Sequence, residues 1–178
     1  MVKDCVFCQI AAGQLPAHTL WEDDEHLAFL SIFPNTKGFS VVATKKHYDS
    51  YAFTADDQVL SRLIIATKKV AQLLDSYFED VVRCGMFFEG WGVNHLHTKL
   101  FPMHGTGNLK HWQMIEDKRI DTYFEKYPGY LSSNDSHRAD DQELAKLARS
   151  LREHAKKLKL SWQVTKSGVQ YTLYGYRG

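Results

Sequence analysis

The chain is poor in several things. It has only three cysteines, Cys5, Cys8 and Cys84, in 178 residues. That is too few for the disulfide framework of a small secreted domain. It also has almost no net charge, because 22 lysines and arginines face 21 aspartates and glutamates. Bulk attraction to nucleic acid or to an anionic membrane is excluded, so any anion binding must come from local placement. No apolar run approaches the ~20 residues needed to cross a bilayer. The opening Met-Val-Lys-Asp-Cys lacks the apolar core of a secretory signal. Repeats and low-complexity tracts are missing too. The expectation is a soluble, cytoplasmic protein with neither a nucleic-acid nor a membrane partner.

What is present suffices for a sizeable core, since 44% of the residues are hydrophobic. Short apolar runs at 18–22, 27–32 and 39–44 read as strands, the last two joined by the turn signal Pro34-Asn35-Thr36-Lys37-Gly38. Thr54, Asp56 and Asp57 then read as a helix start, with Thr54 as cap and the acids in the first turn. Val59, Leu60, Leu63, Ile64, Val70, Leu73 and Leu74 recur at helical spacing to about Tyr77. Runs at 81–89 and 93–101 follow as two more strands, so two strands, a helix and two further strands give a mostly antiparallel α+β core, with 18–22 as a further short strand candidate. The sequence divides into residues 1–104 and an extension, 105–178, expected to pack on the same domain. Within that extension, 111–127 and 140–158 read as helices, and 161–165 with 169–174 as a hairpin.

The chemistry concentrates in Asn94-His95-Leu96-His97-Thr98-Lys99. On a strand, alternation would place His95, His97 and Lys99 on one face, with Leu96, Thr98 and Leu100 on the other. Two imidazoles and a cation in a row suit a phosphate-bearing substrate. They are equally compatible with a strand carrying two partly exposed histidines. Cys5-Val6-Phe7-Cys8 has the spacing of half a zinc knuckle, with His47 and His95 as the best candidates for the other half. The same pair also reads as two reduced, unligated thiols. Cys84, in an apolar stretch, reads as a buried small hydrophobe.

Taken together, these residues resemble a known family. Cys5-Val6-Phe7-Cys8-Gln9-Ile10, Gly13, Pro16-Ala17, Glu22-Asp23, Ala28-Phe29-Leu30, Pro34, Gly38 and Lys46-His47 occur in the order found in histidine triad (HIT) proteins, and 93–102 resembles the triad segment. The resemblance spans residues 5–104. It implies a five-stranded antiparallel meander with a long helix, often joined to a twin as a homodimer. It implies a nucleotide hydrolase or transferase acting at the α-phosphate of a dinucleoside polyphosphate, phosphoramidate or adenylate, with adenine nucleotides favoured. His97 would be the nucleophile that carries the nucleotide, and His95 the first histidine of the triad. Cys5, Cys8, His47 and His95 would bind a structural zinc ion. A nucleotide-binding protein with little catalysis, and a transferase to an acceptor other than water, are the alternatives.

A neutral imidazole is nucleophilic near neutral pH, and a partner on its other nitrogen fixes the reactive tautomer. Backbone amides near Gly90 and Gly92, together with Lys99, are candidates to stabilise phosphoryl charge. Leu27, Phe29 and Ile32 are candidates to frame a base, and each also reads as ordinary core. The chain departs from the family at four places. Lys99 replaces the third histidine, Ser31 stands where an acid or amide commonly holds the ribose, Trp91 replaces a glutamine and Gly92 a serine. Lysine binds phosphate as a point charge but is a poor proton shuttle. His104, past Pro102, reads as an incidental loop histidine.

Overall fold

A computed structural model describes residues 4–107, Glu125, Lys126, Gln142 and two strands near the C-terminus. The chain divides into two compact units. In the first, helix α1 (Val6–Ala11) leads to strands β1 (His18–Glu22), β2 (His26–Leu30) and β3 (Ser40–Thr44), helix α2 (Asp57–Tyr77), and strands β4 (Cys84–Phe87) and β5 (His97–Pro102). The five strands form one antiparallel sheet in the order β1-β2-β3-β5-β4. The expected architecture of an antiparallel sheet with one long helix is therefore observed. β5 lies inside the sheet, between β3 and the edge strand β4.

Alternation along the strands divides the core between two faces. Ala28, Val42, Leu96 and Leu100 pack with Val59, Leu63, Ala66, Val70 and Leu74 of α2. Each large aliphatic side chain buried there contributes about 1.5–3 kcal/mol. One polar pair is set into this layer: the Thr67 hydroxyl donates to the Leu63 carbonyl at 2.7 Å and lies 2.8 Å from the Thr98 hydroxyl. On the opposite face Leu27, Phe29, Val41 and Ala43 pack with Phe7 and Ile10 of α1 and with Ala17. That smaller cluster is the floor of the site described below.

Several local expectations are corrected. The cap of α2 is Asp56, whose carboxylate accepts from the amides of Gln58 at 2.9 Å and Val59 at 3.2 Å. Thr54 instead ends a short 3-10 turn and donates its hydroxyl to the Tyr51 carbonyl. Ala55 is extended, so the helix cannot begin before Asp56. Ile64 and Leu73, expected in the apolar stripe, are exposed, because only the positions aligned with Val59, Leu63 and Val70 reach the sheet. β4 covers only Cys84–Phe87, and β5 starts at His97 rather than at residue 93. Before His97 the chain leaves the ladder: the Leu96 amide donates to the Tyr48 carbonyl and the His95 amide to the Val93 carbonyl.

Gly38 shows why the turn between β2 and β3 needs glycine. Its φ is +81°, and a Cβ there would lie 2.6 Å from the Phe78 ring. In the second unit, β6 (Ser161–Thr165) and β7 (Gly168–Thr172) pair antiparallel, with Thr165 opposite Gly168. The predicted hairpin is present, but Gly168 belongs to its second strand. The helices expected at 111–127 and 140–158 lie outside the described residues.

Candidate active site and metal-ligand cluster

Four residues distant in sequence converge beside the N-terminal helix. Cys5 precedes α1 and Cys8 sits in its first turns, so helical spacing turns both thiols the same way. His47 follows β3 and His95 precedes β5. Cys5 Sγ lies 3.3 Å from His95 Nδ1, Cys8 Sγ 3.6 Å from the same nitrogen, and Cys8 Sγ 3.4 Å from His47 Nδ1. All four ligand atoms lie within 4.8 Å of one another. A tetrahedral zinc ion with ordinary bond lengths puts sulfur and nitrogen ligands about 3.6 Å apart. The spacing of this cluster therefore fits a metal ion of that size.

His95 is fully buried. Its Nε2 donates to the Thr44 carbonyl at 2.6 Å, so the unprotonated Nδ1 faces the two thiols. Burial holds its pKa below the usual histidine range; the charges of His47 and His97 act the same way, against the bond to Thr44. The expectation that His95 shares a strand face with His97 and Lys99 is corrected here. It lies ahead of the strand and its ring turns to the cysteines.

His97 opens β5 and is 4% exposed. Its Nδ1 donates to the His95 carbonyl at 2.6 Å. That bond leaves Nε2 as the nitrogen with the lone pair. Desolvation by burial pushes the His97 pKa down; the Lys99 charge adds to this, while the backbone bond and the Glu89 charge oppose it. The ring sits opposite Ala43 in the sheet and edge-on to Phe7, 5.1 Å between centroids. Phe7 also meets Phe29 at 5.4 Å and His95 at 5.8 Å, so α1 fixes both imidazoles at once.

Lys99 follows on the same face, opposite Val41 on one side and Phe87 on the other. Its ammonium is paired with the carboxylate of Glu89. Phe29 is buried in the floor of the site, whereas Ile32 is 71% exposed and stands apart from that floor. The Ser31 hydroxyl accepts from the Phe33 amide at 3.2 Å. Gly90 and Gly92 both have positive φ and flank the exposed Trp91. The Gly90 carbonyl accepts from the Ser50 hydroxyl at 2.9 Å. The Ser50 amide donates to the Asn94 side chain at 3.0 Å, and Asn94 donates to Asp49 at 3.2 Å.

Sequence reasoning missed Glu89, Thr44, Phe7 and Ser50. Only Glu89 carried a signal, as an acid at the end of an apolar run two residues from Phe87. Cys84 is half-buried, and burial, helped by the neighbouring Asp75 carboxylate, pushes its thiol up to about 12. His104 is not idle. It contacts Asp80 at 3.0 Å and donates to the Lys37 carbonyl at 2.9 Å, bridging two turns.

The antiparallel sheet thus presents a buried, tautomer-fixed histidine beside a cysteine and histidine cluster. The family profile for the HIT domain matches residues 12–106. The chain belongs to the HIT domain family, whose members are typically nucleotide hydrolases or transferases. It is 32% identical over 131 residues to an uncharacterized HIT-like protein of Methanocaldococcus jannaschii, covering 70% of this chain and 99% of that one. The fold is similar to that of a crystal structure from Streptococcus mutans, with TM-score 0.60, 23% identity, and 86% and 87% of the two chains covered. It is also similar to a zinc-bound histidine triad family protein from Mycobacterium smegmatis, with TM-score 0.53, 19% identity, and 87% and 97% covered. Among the described residues, no helix is long and apolar enough to cross a membrane.

Proposed function

We propose that this protein hydrolyses a nucleotide at its α-phosphate through a nucleotidyl-His97 intermediate. The observation that carries the reading is the 2.6 Å bond from His97 Nδ1 to the His95 carbonyl. It fixes the tautomer so that Nε2 would be the nucleophilic nitrogen, while burial favours the neutral ring. In the first step Nε2 attacks the α-phosphorus, a nitrogen–phosphorus bond forms, and the bond to the leaving group breaks. In the second, water attacks phosphorus, the nitrogen–phosphorus bond breaks, and the nucleoside monophosphate leaves with the water oxygen. Amides of the Gly90–Gly92 turn would meet the phosphoryl oxygens. Phe29, Ser31 and Trp91 would contact the nucleoside or leaving group. Adenine nucleotides are the favoured substrates, and a cytoplasmic homodimer is the favoured state; both rest on family membership.

Cys5, Cys8, His47 and His95 would hold a structural zinc ion. Bound there, zinc cross-links the N-terminal helix to the start of β5 and contributes folding free energy. Because the His95 carbonyl also receives the His97 bond, these four residues orient the nucleophile as well.

A nucleotide-binding protein with little catalysis is the second reading, favoured by Lys99 and its pairing with Glu89 at the place of the third histidine. One experiment separates the two. Purified protein is incubated with diadenosine polyphosphate or adenosine phosphoramidate and quenched in base. Turnover with a covalent nucleotide on His97 supports the hydrolase. Binding of AMP with neither turnover nor adduct sinks it.

A further inference from the structure

We infer that Lys99 is a positioning residue: its ion pair with Glu89 fixes the Gly90-Trp91-Gly92 turn beside His97. The functional part of this inference rests on the chemistry proposed for His97. The pair itself stands on geometry. Lys99 lies in β5 between Val41 and Phe87, so its stem packs against apolar neighbours on both sides. Its side chain is 29% exposed and that of Glu89 only 10%. A carboxylate so withdrawn from water needs a charged or hydrogen-bonded partner, and Lys99 supplies one.

Glu89 sits where β4 has ended and the turn begins. Beyond it the backbone passes through two positive-φ glycines before reaching His95. Three ties hold that segment among the contacts of the described residues. Lys99 holds Glu89, Ser50 holds the Gly90 carbonyl, and Ser50 with Asp49 holds Asn94. Trp91 and Gly92 lie between these ties and are exposed. The Lys99 tie is an ion pair, and it comes from the strand that carries His97. Strand and turn are thereby locked in register. The pair gives the ammonium a partner within the protein, so the role inferred here is distinct from the phosphate contact that its place in the triad suggests.

The test is amide hydrogen exchange with the full chain, comparing wild type with Lys99→Met, Glu89→Gln, the double Lys99→Met with Glu89→Gln, and the reversed pair Lys99→Glu with Glu89→Lys. Exchange at the Ser50 and His95 amides, which donate to Asn94 and Val93, should quicken roughly tenfold in either single variant and no further in the first double, because the two act as one unit. Amides of α2 should not change. The reversed pair should return exchange to within about threefold of wild type. Turnover of diadenosine polyphosphate should follow, with kcat falling alike in both single variants. Unchanged exchange in both single variants overturns the inference. So does a Lys99→Met variant that weakens AMP binding while Glu89→Gln does not, since that is the behaviour of a phosphate ligand. Should the reversed pair fail to fold, coupling between the single variants decides the matter. A wild type without turnover counts against the hydrolase reading alone, because exchange still judges the pair.

Discussion

His97 and His95 are joined by one bond, from the ring Nδ1 of the first to the backbone carbonyl of the second, 2.6 Å long. The ring of His95 turns away to Cys5 and Cys8. One residue thus offers its side chain to the metal-ligand cluster and its backbone to His97, the proposed nucleophile. The two tasks are coupled through a single peptide unit.

Under the proposed mechanism, replacing His97 with alanine should lower turnover by about a thousandfold or more, since the nitrogen that would attack phosphorus is lost. The cysteine and histidine cluster does not use this side chain, so zinc content measured by mass spectrometry should stay near wild type. Turnover within tenfold of wild type would remove His97 from the role of nucleophile.

Cys8→Ser should lower both metal content and thermal stability. Cys8 is 2% exposed and touches both histidines of the cluster. Losing a structural metal ligand should cost at least about 2 kcal/mol, or roughly 10 °C in Tm for a domain of this size. Chelation of the wild type should have a similar effect. A chelated wild type that melts at the same temperature as the loaded protein would count against a structural ion.

The bridge from His104 to Asp80 predicts a defined pH window. The Lys37 carbonyl, followed by the Asp80 side chain, raises the His104 pKa above its ordinary 6.5. Its contribution is complete below 6.5 and disappears as pH rises through the folded value. The bond from His104 lowers the Asp80 pKa below 3.8, so that contribution is complete above 3.8 and lost as pH falls through the folded value. Comparing wild type with His104→Gln by urea unfolding, the stability difference should be largest between these limits and shrink above neutral pH. A difference independent of pH would show that the bridge carries no charge.

Asp56→Ala should destabilise the protein by about 1 kcal/mol, because two first-turn amides of α2 lose their acceptor. Thr54→Ala should cost less, since that hydroxyl serves only the short turn before the helix. Chemical denaturation reads both. A larger loss at Thr54 than at Asp56 would reverse the assignment of the cap.

The strands and helix were legible because their signals are local. Leu27-Ala28-Phe29 and Val41-Val42-Ala43 are short apolar runs around a Pro-to-Gly turn, and α2 shows its period over many residues. The exact strand ends were not legible. β5 starts at His97 because Leu96 bonds to Tyr48, a contact between segments far apart in sequence. Similarly, the cap choice between Thr54 and Asp56 turned on the extended backbone of Ala55.

By itself the sequence determined the antiparallel sheet with its long helix, and it marked Cys5, Cys8, His47, His95 and His97 as candidates for metal binding and chemistry. Periodicity, turn residues and spacing are properties of neighbours along the chain, so they can be read directly. Tertiary structure decided how those residues divide their work. It turned His95 toward the cysteines, fixed the tautomer of His97 through a backbone carbonyl, and gave Lys99 a partner in Glu89. Each of these depends on directions and distances between side chains and backbone groups. Such contacts exist only after the sheet has folded.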